Sequence, residues 1–470
     1  MRDIALLLFV VATLPMAFMR PIIGLLLWMM FSYLNPHRMT WGFAVTQPWV
    51  MIVAIVTLAG LAAQAKQRQA PPFKPIVVLM TLFLGWVALS TTQAVVPEGA
   101  NKELTQFIKM MTMTYVTLML VTDRQKLQWV IWVSVASFGF WGFKGGLFTL
   151  LTGGNYHVMG PESSFFTDNN QFALIMCMTI PLMRYVQLHT EDRRLNIVLW
   201  AVMGLTAVAV IGTYSRGGLL ALAITGGMLI WKSRRRSILI LLAPALALAI
   251  GAFMPEQYAN RINTIDQYQQ DKSAQGRIQS WEFAFNVAKA NPLFGGGFNV
   301  WSSHDMWRQY GPPDAVPGRA IHSIFFEVLG EQGFVGLALF IALMAAGYIG
   351  LARIRKKARA GPPENAFFGD LASMLQVSLV AYAAAGSLLP MPYIDFLYQM
   401  LAIVAVMQVL VERQPAKARQ HSGPSSIEPK KDTPGSSAGK RQRSSRARPR
   451  KELASGGGER VRGIQDLPPW

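Results

Sequence analysis

Long apolar runs recur along the first 411 residues, and they constrain the fold more than any other feature of this chain. Most runs hold about 16 to 24 residues, and a helix needs roughly 20 apolar residues to cross the hydrocarbon core of a bilayer. The chain is 52% hydrophobic and only 15% charged, whereas about a quarter of the residues in a soluble domain are charged. We therefore predict an all-α polytopic membrane protein with twelve or thirteen transmembrane helices.

The predicted spans are separated by short breaks that are charged or rich in proline and glycine. The first two spans are short and share one brief break at Met19-Arg20, which predicts a tight helical hairpin. No signal-peptide cleavage site is evident after the first run, so we expect this run to remain as a membrane anchor. The candidate spans lie near 4–18, 21–34, 49–64, 75–91, 105–121, 128–151, 171–187, 196–212, 217–232, 237–253, 328–352, 367–389 and 395–411.

Clusters of basic residues indicate which breaks share a side of the membrane. Short basic loops usually face the cytoplasm, and all five clusters fall on one side if the spans alternate. The odd number of spans leaves the N-terminus outside, unless the first pair is one broken span. The clusters lie at 66–68, 123–126, 193–194, 232–236 and 353–357. The breaks assigned to the outer side are 35–48, 92–104, 152–170, 213–216, 254–321 and 390–394.

The composition changes at Glu412. Residues 412–470 hold 14 Lys and Arg against 6 Asp and Glu, with many Ser, Gly and Pro, which predicts a disordered basic tail. A cytoplasmic basic tail is attracted to anionic membrane lipids. Its cations are not interleaved with aromatic residues, so we predict no nucleic-acid partner. We divide the chain into N-terminal transmembrane helices (1–164), a membrane core (165–411, with the long outer loop 254–321) and the tail (412–470).

The stretch 254–321 is the longest polar segment before the tail, and loops of this length usually form lids or binding elements. Its centre carries apolar residues at helical spacing from Ile278 to Val287, and Asn291-Pro292 ends the pattern. We predict an amphipathic helix on the outer membrane surface, with Trp281 at the depth of the headgroups. Such a helix would form a side wall for a lipid-linked substrate.

His322, at the outer edge of a predicted span, is the leading candidate for a catalytic group. A titratable side chain at the mouth of a helix bundle, beside a long polar loop, is where chemistry is expected. Two arginines lie in the same region: Arg216, where the eighth span turns into the ninth, and Arg277 in the loop. Arginine suits a bidentate grip on phosphate oxygens, so the set predicts an anionic, phosphate-bearing substrate.

Other polar residues near the outer side have both structural and functional interpretations. A rim arginine such as Arg216 is often only an anchor, but the positive-inside rule disfavours it on the outer side, and we favour the binding role. Lys144 could join the anion site or extend to the interface, and the sequence favours neither. Asp168 and Asn169 could contact sugar hydroxyls, but they are also typical helix N-cap residues.

The sequence holds no pattern of a metal or nucleotide site. Cys177, the single cysteine, lies inside an apolar run, which is typical of a small buried side chain. No Cys/His cluster has the ligand spacing of a zinc site, and no Walker-type or G-x-G-x-x-G loop follows a strand. We therefore expect neither a metal nor a cofactor.

The spacing around His322 resembles a known signature. His322-Ser323, nine further residues and then Gly333-x-x-Gly336 match the His-[Asn/Ser/Gln]-x9-Gly-x-x-[small] signature of the O-antigen ligase and polymerase superfamily. Glu331 falls where that family often has Glu. The similarity is strongest over about residues 165–350. Two further elements are similar to the family's Ser-Arg-[Gly/Ala] helix start and its Gly-Arg loop element: Tyr214-Ser215-Arg216-Gly217-Gly218 and Gly276-Arg277.

The N-terminal stretch is similar to a subset of that superfamily, the ligases predicted to act in O-glycosylation in exosortase A systems. The residues that carry this similarity are 34–38 (Leu-Asn-Pro-His-Arg) and 41–44 (Trp-Gly-Phe-Ala). Taken alone, His37-Arg38 and Trp41 predict anchoring at the membrane surface. The basic tail has no counterpart in the family pattern.

The resemblance implies an inverting, metal-independent glycosyl transfer at the periplasmic face of a bacterial inner membrane. The donor would be a glycan on undecaprenyl diphosphate, and Arg216 and Arg277 would hold the diphosphate as it leaves. His322 would take the proton from the acceptor hydroxyl or orient that hydroxyl. The acceptor would be a lipid, a polysaccharide or a protein. Candidate contacts to sugar or acceptor are Asp168, Asn169, Lys144, Ser323 and Glu331, although the last is expected to be structural or acceptor-facing.

Three other functions remain open. A polysaccharide polymerase would use the same donor and share every motif. A lipid-linked glycan transporter would place charges around a cavity at mid-membrane, often between two similar halves, but the chain shows no internal repeat and its notable charges lie at the outer rim. A non-catalytic scaffold would leave His322 and its two external arginines unexplained.

Overall fold

The computed structural model describes residues 1–64, 66, 68–233, 237 and 272–421. This part of the chain contains α-helices and short 3-10 helices and no strand, which confirms the all-α prediction. We number its α-helices in chain order: α1 (Arg2–Met19), α2 (Pro21–Tyr33), α3 (Trp49–Ala63), α4 (Pro75–Thr91), α5 (Pro97–Leu120), α6 (Arg124–Leu151), α7 (Asn169–Leu188), α8 (Arg193–Gly212), α9 (Arg216–Lys232), α10 (Lys272–Ala290), α11 (His304–Tyr310), α12 (Ile324–Ala360), α13 (Ala366–Gly386) and α14 (Asp395–His421).

Seven described helices are long and apolar enough to cross a membrane: α1, α6, α7, α8, α12, α13 and α14. Three shorter apolar helices, α2, α3 and α4, accompany them. The protein is thus a polytopic membrane protein. Twelve of the thirteen predicted spans coincide with helices, and the span at 237–253 lies outside the described residues apart from its first residue. The last helix continues past Glu412, and residues 422–470 also lie outside the described part.

The first two helices form the predicted hairpin. Arg20 is the single residue between α1 and α2. The Asp3 carboxylate near the start of α1 accepts hydrogen bonds from the backbone N–H groups of Gly42 (3.0 Å) and Ala44 (3.0 Å), which follow α2. The start of α1 and the segment after α2 therefore lie at the same end of the bundle.

Helices α7, α13 and α14 form the interior of the bundle. Their sequences are apolar on nearly all sides, and a helix of that kind is stable only when it is surrounded. Cys177 is fully buried in α7, as predicted. Nearby, the Ser378 hydroxyl of α13 donates to the Met178 carbonyl of α7 at 2.7 Å, which satisfies a polar group inside the bundle.

One end of the bundle holds the described parts of the breaks that the sequence assigns to the outer side. Helices α7, α9 and α12 begin at this end, and we call it the site face. The contacts that join its segments include Val95 N–H to the Gly296 carbonyl (2.9 Å), Val158 N–H to the Gly212 carbonyl (2.9 Å), and the rings of Phe298 and Tyr393, whose centroids are 4.8 Å apart.

The opposite end collects basic residues. The Lys232 ammonium donates to the Ser373 hydroxyl at 2.9 Å, and Lys357 pairs with Glu412 at 3.4 Å. The Arg124 guanidinium lies 4.2 Å from the centroid of the Phe367 ring. The two ends of the bundle therefore carry the two sets of breaks that alternation of the spans predicts.

Candidate active site

His322 immediately precedes α12 in an uncommon backbone conformation. Its φ is +48°, in the left-handed region that side chains other than glycine rarely adopt, although histidine is among the more tolerant. Ser323 follows as the N-cap, and its hydroxyl accepts a hydrogen bond from the Phe326 N–H at 3.5 Å. Strain of this kind costs on the order of 1–3 kcal/mol and is concentrated at functional sites, so this turn is a candidate site on backbone geometry alone.

The imidazole of His322 is oriented by its own backbone. Its Nδ1 lies 2.7 Å from the Ala320 carbonyl oxygen. A carbonyl can only accept, so Nδ1 carries the hydrogen and donates it. In the neutral ring Nε2 then has a free lone pair and can accept a proton. The side chain is half-buried, which leaves it accessible to a substrate on the site face.

Arg216 occupies a turn of the same construction at the start of α9. Tyr214 has φ +57°, and Ser215 is the N-cap, with its hydroxyl accepting from the Gly218 N–H at 3.0 Å. Arg216 is the first residue of the helix and is half-buried. Helix starts concentrate unpaired N–H groups and positive partial charge, so both turns favour an anion nearby.

The end of α13 brings these two helix starts together. A Cβ built on Gly217 would lie 3.8 Å from the Leu388 Cβ, just past the end of α13. A Cβ on Gly386, the last residue of α13, would lie 2.7 Å from the Ile324 side chain, which is next to Ser323. Arg216 and His322 are therefore neighbours of the same short segment, although about a hundred residues separate them in sequence.

Arg277 reaches the same region from α10. The hydroxyl of Ser280, one turn further along α10, donates to the Ile321 carbonyl at 3.2 Å, beside His322. The Trp281 ring stacks on Phe326 of α12, with centroids 5.2 Å apart. Arg277 itself is half-buried. The structure thus brings the loop arginine of the sequence analysis to the start of α12.

The predicted amphipathic helix is present as α10, and part of its apolar face packs against protein. Ile278 and Phe285 on the same helix stay 51% and 45% exposed, so its contact with the membrane surface stays a prediction. Phe283 stacks on Trp307 at 4.2 Å, and Val287 is buried in the same small core. Trp281 is held against α12. Residues 300–310 supply a local core for this face, which the helical pattern alone did not reveal.

Arg319 is a third cation beside this site, and the sequence analysis did not single it out. Its guanidinium lies directly over Gly276, because a Cβ on that glycine would fall 1.2 Å from the Arg319 Nη1. Glycine at position 276 therefore leaves space for an arginine next to Arg277. The sequence did contain a signal that Arg319 belongs to the site. It lies three residues before His322, on the side where the positive-inside rule disfavours cations.

Gly333 explains the spacing of the signature in physical terms. Its φ of +69° and ψ of −172° break α12 internally. The break leaves carbonyls without helical partners, and the glycine turn at 295–297 supplies donors: Gly296 N–H bonds the Gly330 carbonyl (2.8 Å) and Gly297 N–H bonds the Glu331 carbonyl (2.9 Å). The first segment of α12 and the long outer segment are thereby joined through backbone.

The remaining candidates have structural partners. Asp168 caps α7 by accepting from the Asn170 N–H at 2.9 Å, and the Asn169 amide donates to the Thr213 carbonyl at 2.8 Å, beside the Arg216 turn. Glu331 is buried, and one of its oxygens accepts from the Asn299 N–H at 2.9 Å. Ser323 is the cap described above. Each of these side chains shapes the site, and any contact of theirs to a sugar stays a prediction.

Two further charged residues, one basic and one acidic, have positions that the sequence did not determine. Lys144 lies on α6, with its ammonium 4.8 Å from the Trp141 ring centroid, and lines a separate cavity. Glu327, which the sequence analysis missed, lies one turn after Ser323, with one buried oxygen that has no hydrogen-bond partner in the described part of the chain. A carboxylate in the first turn of a membrane helix was the signal for it.

Comparison with known families agrees with the motifs. Residues 201–341 match the model of a family described as O-Antigen ligase, and this range contains Arg216, Arg277, His322 and Gly333. Residues 1–191 match a family of unknown function (DUF5935). No curated protein matches the chain. The O-antigen ligase domain at 201–341 supports membership of that superfamily and a membrane function of the glycan ligase or polymerase type.

Proposed function

We propose that this protein transfers a glycan from undecaprenyl diphosphate to an acceptor hydroxyl at the periplasmic face of the bacterial inner membrane. The observation that carries the proposal is the 2.7 Å contact between His322 Nδ1 and the Ala320 carbonyl oxygen. Because a carbonyl accepts, this contact assigns the hydrogen to Nδ1 and leaves Nε2 available as a base at the site face. Histidine is the side chain whose neutral form is common near physiological pH.

The reaction is a single displacement. The acceptor oxygen attacks the anomeric carbon and its proton passes to His322 Nε2, while the bond from that carbon to the diphosphate oxygen breaks. The bonding electrons leave with undecaprenyl diphosphate, and attack opposite the leaving group inverts the anomeric centre. A positioned general base of this kind contributes roughly 10²–10⁴-fold to rate.

The leaving diphosphate gains negative charge as its bond breaks, and cations fixed in advance stabilise that charge most effectively. Arg216 and Arg277 take this role in the proposal, and Arg319 adds a third guanidinium over Gly276. The capped starts of α9 and α12 present positive helix ends to the same region. No metal is assigned to the step, and we expect a chelator to leave transfer unchanged.

The proposed orientation follows from charge. The end opposite the site face holds Arg124, Lys232 and Lys357, and basic segments favour the cytoplasm. The site face would then lie in the periplasm. The similarity of residues 34–44 to O-glycosylation ligases of exosortase A systems makes a protein one of three acceptor classes to test, beside lipid and polysaccharide.

The test is a transfer assay with purified protein in lipid, undecaprenyl-diphosphate-linked glycan and separate lipid, polysaccharide and protein acceptors. His322→Ala and Arg216→Ala are expected to abolish release of undecaprenyl diphosphate while inserting normally. His304→Ala is the matched control, because His304 lies exposed on the same outer segment and starts α11. Full activity of His322→Ala would refute the catalytic assignment.

The products separate the alternatives. Release that depends on one acceptor class, and is lost in the His322→Ala protein, supports a ligase and identifies its acceptor. Release with lengthening glycan ladders and no added acceptor indicates a polymerase. Movement of the lipid-linked glycan across the bilayer without either product would favour a transporter.

A further inference from the structure

A cavity on the site face lies between α1, α6 and the segments 36–41 and 157–162. Its volume is about 940 Å³, near the upper end of the roughly 300–1,000 Å³ range usual for ligand pockets. Its lining residues all lie within 1–191, the part of the chain that matches a family of unknown function. His157 lines the cavity and stacks on Tyr214 at 4.5 Å, so the cavity adjoins the turn before Arg216.

Three cations line this cavity: Arg2, Arg38 and Lys144. In the described part of the chain none of them forms an ion pair with a carboxylate. Glu162 also lines the cavity, and it balances one of the three charges. Like charges in one cavity repel one another, so the lining favours an anionic ligand.

Two tryptophans contact two of the three cations, Arg2 and Lys144. The Arg2 guanidinium lies 4.3 Å from the Trp41 ring centroid and donates to the Met39 carbonyl at 3.4 Å. The Lys144 ammonium lies 4.8 Å from the Trp141 ring centroid. Cation–π contacts hold a charge without neutralising it. Arg2 and Lys144 are therefore positioned and still able to bind an anion.

Much of the remaining lining is apolar and continues onto a membrane-spanning surface. Leu6, Phe140 and Phe148 line the cavity. The two phenylalanines are 41% and 42% exposed on α6, a helix apolar enough to cross the membrane. Tryptophan is typical of the membrane–water interface. The cavity thus joins a polar cationic part to a surface that suits acyl chains.

We propose that this cavity binds the phosphate-bearing headgroup of an anionic membrane lipid, with Arg2, Arg38 and Lys144 around the phosphate and the acyl chains along Phe140 and Phe148. The site is distinct in its residues from the transfer site, because its cations belong to α1, segment 36–41 and α6 rather than to α9, α10 and α12. The inference does not depend on the transfer reaction.

The test is native mass spectrometry of the full-length His322→Ala protein, titrated with phosphatidylglycerol or with phosphatidylcholine of the same acyl chains. Phosphatidylglycerol is expected to bind the more tightly of the two. Lys144→Gln and Arg38→Gln should each weaken it about tenfold, because a charge-assisted hydrogen bond contributes at least about 1.4 kcal/mol. The matched controls are Lys102→Gln and Arg308→Gln, which change exposed cations outside this cavity.

Several results would overturn the proposal. Equal binding of the two lipids would remove the role of charge, and equal losses in the cavity and control variants would remove the role of this cavity. Inorganic phosphate and glycerol 1-phosphate serve as soluble competitors of the lipid. If either compound displaced phosphatidylglycerol at a concentration equal to that of the lipid, the site would bind a free phosphate group and not a lipid. Unchanged thermal midpoints show that the variants are folded.

Discussion

Gly333→Ala should destabilise the protein by roughly 1.5–4.5 kcal/mol. The backbone at Gly333, with φ +69° and ψ −172°, lies in a region that is essentially restricted to glycine. A Cβ there would lie 2.3 Å from the Leu293 carbonyl oxygen and 2.7 Å from that of Pro292. The second oxygen accepts from the Phe334 N–H at 2.9 Å, so moving it weakens a hydrogen bond. Strain of about 1–3 kcal/mol and a bond of about 0.5–1.5 kcal/mol give that range.

The measurement is the free energy of unfolding in detergent by denaturant titration, followed by circular dichroism. Gly85→Ala is the matched control: Gly85 lies inside α4 and has nothing within 4 Å of a built Cβ. Since alanine is the better helix former by about 1 kcal/mol, this variant should be as stable as the parent or slightly more so. If both variants unfolded at the same denaturant concentration, the account of the break in α12 would be wrong.

Three further predictions concern single residues. Glu331→Ala should lower the free energy of unfolding by about 1–3 kcal/mol because the Asn299 N–H loses its acceptor, whereas Glu331→Gln should lose less; denaturant titration compares them. Burial and the neighbouring Arg38 lower the pKa of His37 from 6.5 to about 4, so the unfolded chain binds a proton where the folded protein does not. Thermal midpoints should therefore fall as the pH falls from 6.5 towards 4, and less steeply in His37→Gln. Gly276→Ala should displace the flexible Arg319 side chain, raising the KM for the lipid-linked donor with little change in thermal midpoint.

The helices were predictable because each depends on local composition. A run such as 171–187 is apolar on nearly all sides, and only a buried or membrane helix satisfies its backbone. The hairpin at Arg20 followed from the length of the two runs. The packing of α10 did not follow, because an apolar stripe is the same whether lipid or protein covers it. Phe283 and Trp307 are far enough apart in sequence that only the fold reveals their stacking.

The candidate site was predictable in its residues and not in its geometry. His322, Arg216 and Arg277 came from the resemblance and from charges placed against the positive-inside rule. The positive-inside rule also disfavours a cation at Arg319, so it was a signal for this residue too. The left-handed conformations of Tyr214 and His322 could not be predicted, because neither residue type requires φ above zero. They follow from the turns that each serine cap completes.

The way His322 is held bears on its proposed partner. Catalytic histidines are often oriented by a carboxylate or a backbone carbonyl on the second ring nitrogen. Here a neutral carbonyl, that of Ala320, fixes the tautomer. A carboxylate at that place would add negative charge beside a site that must receive a diphosphate, and it would compete for the arginines. The carboxylate of Glu331 is instead buried and bonded to the Asn299 N–H. A histidine oriented by a neutral carbonyl adds no negative charge beside the proposed leaving group, so the contact of His322 with Ala320 is compatible with the proposed donor as well as with the proposed base.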